Sequence, residues 1–248
     1  MNTLSFVVSL GLFRAALVAT KPHVASDKKN LQQRCVVVTL TDTAEILCTA
    51  SDGLTSAIAR IPFDRERNPY FELGQFSMTP ESCAAVLSMF KLGKDESDAE
   101  LEVSVSFKSE REPGTRRDVP VATMSFRRIG QLFGGDELKV TEPVQQRDLT
   151  GLWATISTSA ARAEAKLPPV KVDSRRLAAF TQAQKAYEQP LIFSAVGPES
   201  SGLCVYCGGY FAGWIAVDRV DMDKASQLRH VQRRETWTRV LPADLKAI

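Results

Sequence analysis

The chain has 248 residues, 44% apolar and 24% charged, enough for two domains with their own cores and too apolar for a disordered segment. Its 31 Lys and Arg against 29 Asp and Glu leave a net charge of +2, which by itself points to no nucleic acid, membrane or acidic substrate. Five cysteines, an odd number scattered mostly through apolar runs, read as reduced thiols rather than a disulfide framework, and no run of about 18 uncharged apolar residues reads as a membrane span.

The charge is unevenly placed. Residues 1–35 carry five basic residues against Asp27, and residues 162–185 carry six against Glu164 and Asp173. The segment Lys224–Ile248 carries six against two, so basic stretches stand on an acidic background. The apolar opening, Leu4 to Phe13, has no basic residue before it and is interrupted by Arg14, which argues against a secretion leader.

In chain order, Thr3–Val8 reads as a strand, and Ser9 as the cap of a helix with Leu12, Phe13, Ala16, Leu17 and Val18 at helical spacing. That helix is expected to end near Lys21-Pro22, because the residue before proline is pushed out of the helical region. A three-stranded meander over 35–63 follows, with Ser51-Asp52-Gly53 at its second turn and Pro62 closing its last strand.

The pattern then restarts. A strand over Tyr70–Met78 precedes a helix capped by Thr79 with Pro80 at its first position, on which Ala84, Ala85, Val86, Met89 and Phe90 are expected to face inward. Strands over Glu100–Phe107 and Val119–Phe126 flank a charged hairpin, Lys108–Asp118. A third unit opens with Asp136–Thr141 and a helix capped by Asp148 bearing Leu149, Leu152, Trp153 and Ile156, then breaks off. After Val170–Val172, Asp173 caps a fourth helix with Leu177, Phe180 and Ala183 inward, and strands at Pro190–Val196, Gly202–Cys207 and Tyr210–Val217 complete the last unit.

Helix-led units of this kind pair into layered domains, giving an α+β chain divided at 1–128, 129–220 (abbreviated) and a basic tail, 221–248. No catalytic constellation assembles: His23 and His230 lack spaced partners, and no phosphate-binding loop carries its lysine. Cys204 and Cys207, three apart on a strand, point to opposite faces and cannot share a metal, so neither a metal nor a cofactor is expected.

The repeated β-α-β-β-β order and the Asp-Gly hairpin resemble the bacterial sliding clamp, the β subunit of the replicative DNA polymerase, where a Thr-Asp-Gly-His-Arg-Leu hairpin follows such a helix. Here those slots hold Ser51, Asp52, Gly53, Leu54, Thr55 and Ser56, and the family's closing Met-Pro-Met-Arg-Leu is replaced by Ala216-Val-Asp-Arg-Val220. The resemblance covers about residues 1–220, and the Ala- and Arg-rich style of the sequence suggests an actinobacterial or phage source. The resemblance implies a non-enzymatic processivity factor that encircles duplex DNA, without base specificity, and tethers polymerase or loader peptides. Two domains per chain would make a six-domain ring a trimer, in the cytoplasm.

By the same resemblance, the partner-peptide pocket falls on Gly53, Leu54, Ser56, Ile215, Val217 and Arg219. Diffuse phosphate contacts fall on Arg14, Lys21, Lys28, Lys29, Arg162, Arg175, Arg176 and Lys185, on or just after the helices. A clamp-derived protein that binds a replication or transcription partner without encircling DNA is the other reading. The tail, with Trp237 between Arg234 and Arg239, either docks on the body or meets a partner.

Overall fold

The computed structural model describes residues 3–27, 33–69, 71–93, 96, 98–111, 118–130, 136–145, 149, 152–154, 170–195 and 202–219. Its elements run β1 (Thr3–Ser9), α1 (Leu10–Thr20), β2 (Val36–Leu40), β3 (Glu45–Ser51), β4 (Thr55–Pro62), β5 (Gly74–Met78), α2 (Pro80–Met89), β6 (Glu100–Arg111), β7 (Asp118–Ile129) and β8 (Glu137–Pro143). They continue with β9 (Val170–Lys171), α3 (Ser174–Tyr187), β10 (Leu191–Ala195), β11 (Gly202–Cys207), β12 (Phe211–Ala216) and β13 (Asp218–Arg219).

Each long helix starts where a side chain takes up a free backbone donor. Ser9 accepts from the Leu12 amide, Thr79 from Ser82 and Asp173 from Arg175. The start of α2 has a second acceptor from another element. Buried Glu142, on β8, accepts from the Thr79 amide at 2.8 Å, from the Thr79 hydroxyl at 2.7 Å and from the Ser82 hydroxyl. A buried carboxylate there is compensated by the positive end of the helix and by three charge-assisted bonds. After α1 the chain tightens into a 3-10 turn, Lys21–His23, which admits Pro22 because its missing N–H falls in the first turn.

The first two units exchange their leading strands. One sheet runs β1-β6-β7-β8 and the other β10-β11-β12-β4-β3-β2-β5, so β1 leaves its own meander for β6 and β5 joins β2. Alternate residues of β2, β3 and β4 (Val36, Val38, Ile46, Cys48, Ala57, Ala59) face the helices in one core with Phe6, Phe13, Phe76 and Phe126. On the far face of the long sheet, Cys35 and Val37 pack with Leu149, Leu152 and Trp153. The last unit enters this sheet by pairing β12 with β4, from Phe211 opposite Ala59 to Ile215 opposite Thr55.

Several expectations need correction. The strand expected over Asp136–Thr141 does not open a third unit; β8 pairs along β7 and completes the second. The strand expected from Tyr70 begins at Gly74, where a Cβ would come within 2.7 Å of Leu4. On α2 it is Cys83, Val86 and Phe90 that are buried, while Ala84 and Met89 face outward, and on α3 Leu177 is exposed beside buried Phe180 and Ala183. The apolar stripe on these short helices is narrower than their apolar content. In the charged hairpin Lys108–Arg111 and Asp118 are strand, because β6 and β7 pair out to Arg111 opposite Asp118, and residues 112–117 lie outside the described residues. The helix expected from Asp148 is described only as one turn at 152–154, and the tail 221–248 lies outside the described residues.

Candidate functional site

Two surfaces collect the residues singled out from the sequence, one on the helix layer and one on the long sheet. On the first, α1 and α3 pack side by side and, with α2, border a crevice of about 580 Å³ lined by Val18, Lys21, Pro22, Leu87, Arg175 and Gln182, among others. Lys21 is half-buried at its stem, and Arg175 and Lys185 are exposed. Among the described residues none of the three is within ion-pair distance of a carboxylate. Several cations elsewhere are partnered, Arg34 with Glu81, Arg60 with Glu45, Arg67 with Glu100 and Arg127 with Glu102, whereas Arg65, Lys91 and Arg111 are in no ion pair among the described residues.

Arg14 and Arg176 have other work. The Arg14 guanidinium donates to the carbonyls of Leu87 and Phe90 at 2.7 and 2.6 Å, filling the free acceptors at the end of α2, and partial burial pulls its pKa down. Arg176 donates to the Ala216 carbonyl at 3.0 Å, tying α3 to the end of β12. Lys28, Lys29 and Arg162 lie outside the described residues.

The second surface starts from the turn between β3 and β4. Asp52 folds its carboxylate back onto the Leu54 and Thr55 amides at 2.8 and 2.6 Å, and Gly53 takes φ +87°, a conformation a side chain would strain. This turn meets the chain's last strands: the Ala216 amide donates to the Leu54 carbonyl at 2.8 Å, and Ser56 stands opposite Trp214. Of the six residues assigned to a pocket by resemblance, Gly53 and Leu54 are exposed, while Ser56, Ile215 and Val217 are buried. Ile215 and Val217 belong to the main core. The Arg219 backbone pairs with Val170.

Further along the same outer face lies a cleft of about 530 Å³ that the sequence did not single out. Leu47, Ile58 and Ala212 form its floor, Trp153 and Tyr206 its walls, and Gly208-Gly209-Tyr210 its rim, with the Arg60–Glu45 ion pair at one side. The Trp153 Nε1 and Tyr206 hydroxyl are buried without a hydrogen-bond partner. Burial, with Cys204 adjacent, pushes the Tyr206 hydroxyl up to about 12. The only local sequence signal for this cleft is outward alternation on β3 and β4 next to a Gly-Gly-Tyr turn.

Nothing described here is poised for covalent chemistry. All five cysteines are free and buried, and burial pushes the Cys48 thiol up to about 12. His23, whose two ring nitrogens have no partner, packs edge-on against Phe180 at 4.5 Å, and burial pushes its imidazole down to about 4. Among the described residues no group of three His, Cys, Asp or Glu could hold a metal ion, and no helix is long and apolar enough to cross a membrane.

The whole arrangement is similar to that of solved structures. The DNA polymerase sliding clamp of Bacillus subtilis superposes with a TM-score of 0.56 at 10% identity, over 87% of this chain and 64% of the clamp. The fold is that of the bacterial DNA sliding clamp. The clamp of Pseudomonas aeruginosa, solved bound to griselimycin, gives 0.54 at 11% identity over 97% of this chain and 68% of its own. The DNA polymerase III β subunit of Thermotoga maritima gives 0.52 at 8%, over 98% and 68%. The chain thus spans about two thirds of the length of these clamps. No protein-family profile and no curated protein matches it by sequence.

Proposed function

We propose that this chain is a DNA sliding clamp, a non-catalytic processivity factor that holds duplex DNA against its helix layer and tethers replication proteins through its outer face. The observation that carries this reading is the helix layer: Lys21 and Arg175 line one crevice beside the packed helices α1 and α3, and neither they nor Lys185 has an acidic partner among the described residues. Unpaired cations on helices suit phosphates, which hold a duplex without reading its bases. Lys28, Lys29 and Arg162 extend this set, and Arg14 and Arg176 support it from below. The tail, 221–248, belongs to the same reading as a separate basic segment.

On the other face, Gly53 and Leu54 offer an exposed turn beside the last strands, and partner peptides of polymerases or loaders would sit along it towards Ser56 and Arg219. Ile215 and Val217 would back that groove from the core. The function requires oligomers, because one chain of this fold cannot surround a duplex; three copies would supply a six-domain ring in the cytoplasm. The experiment is retention on DNA: the protein should stay on a closed circular plasmid through a salt wash and leave after the plasmid is linearised. Equal loss from both forms would favour the second reading, a clamp-derived protein that binds a partner without encircling DNA.

A further inference from the structure

Buried polar groups in a folded chain nearly always find a partner, so each one that does not asks for an explanation. Among the described residues six side-chain atoms are buried in this way. Three of them, on His23 and Tyr187, lie among the core aromatics Phe180 and Phe211. The other three, Thr49 Oγ1, Trp153 Nε1 and the Tyr206 hydroxyl, belong to the outer face of the long sheet. Strand register sets Thr49, Ile58, Ala212 and Tyr206 in one row across β3, β4, β12 and β11. Ile58 and Ala212, in the middle of that row, floor the cleft of about 530 Å³, and Trp153 and Tyr206 wall it.

We propose that this cleft binds an uncharged small molecule, a flat aromatic ring that carries a carbonyl oxygen. The floor is apolar, and Trp153, Tyr206 and Tyr210 line the walls and rim, which suits a flat ring by buried area and by stacking. A charged ligand has no counterpart here, because Arg60 and Glu45, the two charged groups of the lining, already pair at 3.1 Å. The carbonyl oxygen answers the unpartnered donors, since an indole N–H can only donate and a phenol O–H also offers its proton. Both atoms are closed off from solvent, so binding includes a rotation of one of these rings towards the cleft. The rim leaves the mouth open: the Arg60 amide fixes the Tyr210 carbonyl at 2.8 Å, Gly208 takes φ +56°, and a Cβ at Gly209 would meet nothing within 4 Å. The lining includes none of the six residues assigned to the partner-peptide pocket, and the inference depends on neither DNA nor partner binding.

The test uses the full chain and naphthaleneacetamide, an uncharged probe with a flat ring and one amide carbonyl. Calorimetric titration should give a dissociation constant of about 1 mM or tighter for a ligand of this size. In nitrogen-15 spectra the Trp153 indole N–H, identified by its loss in Trp153→Phe, should move downfield as the carbonyl accepts from it. Trp153→Phe keeps an aromatic wall without the donor and should weaken binding about tenfold. Ala212→Phe, at an outward position on the floor, should abolish binding, and Leu54→Asp, at the turn, should leave it unchanged. If Ala212→Phe does not fold, the affinity of Trp153→Phe decides. No saturation below about 5 mM probe, or full affinity in a folded Ala212→Phe or Trp153→Phe protein, would overturn the proposal. Displacement of the probe by a clamp-binding peptide, or its loss in Leu54→Asp, would also overturn it by making the cleft part of the partner groove, and would leave the clamp reading intact.

Discussion

Two sets of arginines and lysines on the helix layer should respond to mutation in opposite ways. Arg14→Met removes two short bonds from a guanidinium to the carbonyls of Leu87 and Phe90, together with the cation at the negative end of α2. A bond to a charged group contributes about 1.5–3 kcal/mol, and the carbonyls released here lie near solvent and can be hydrated, so a net loss of about 2 kcal/mol is expected. DNA affinity should change little in this variant at temperatures where it is folded. Replacing Lys21, Arg175 and Lys185 together by Gln removes no hydrogen bond described in the structure and should shift stability by less than about 0.5 kcal/mol. If each cation neutralises one phosphate, the slope of log affinity against log salt should become shallower by about 2.7 per chain. Urea denaturation and salt-dependent binding to a fluorescent duplex, run on both variants, measure the two effects side by side. An Arg14→Met protein as stable as the parent that no longer binds DNA would refute this division of roles, as would a triple variant with an unchanged salt slope.

His23 gives the fold an acid limit. Its imidazole titrates near 4 when folded and near 6.5 when unfolded, so its contribution is complete above pH 6.5 and is lost progressively as the pH falls to 4, by about 3 kcal/mol. A His23→Phe protein that folds should have a flatter pH-stability profile between 6.5 and 4, measured by thermal melts; an equally steep profile would assign the acid limit elsewhere. Glu142→Ala strips the Thr79 and Ser82 donors at the start of α2 of a buried acceptor and should cost about 3 kcal/mol in urea unfolding, whereas a loss under 1 would show that water replaces it. Leu54→Asp, at an exposed turn, should leave the melting curve in place and weaken binding of a clamp-binding peptide, while Val217→Asp should unfold the protein by putting a charge in the core. Unfolding by Leu54→Asp, or normal stability of Val217→Asp, would refute the placement.

Much of the fold was legible because local chemistry and global pattern agreed. Ser9, Thr79-Pro80 and Asp173 marked helix starts that carry real capping bonds, and Asp52-Gly53 marked a turn whose carboxylate and positive φ are both in place. What stayed hidden depends on which strand lies next to which. Nothing in Glu137–Pro143 says that it completes the second unit, because an edge strand with charges on alternate residues reads the same wherever it pairs. The same limit applies to the site. Arg14 and Lys21 are both cations on or just after the same helix, yet one reaches the end of α2 and the other lies on an open crevice. The outer cleft unites β3, β4, β11, β12 and the turn at 152–154, from Glu45 to Ala212, so no window of sequence contains it.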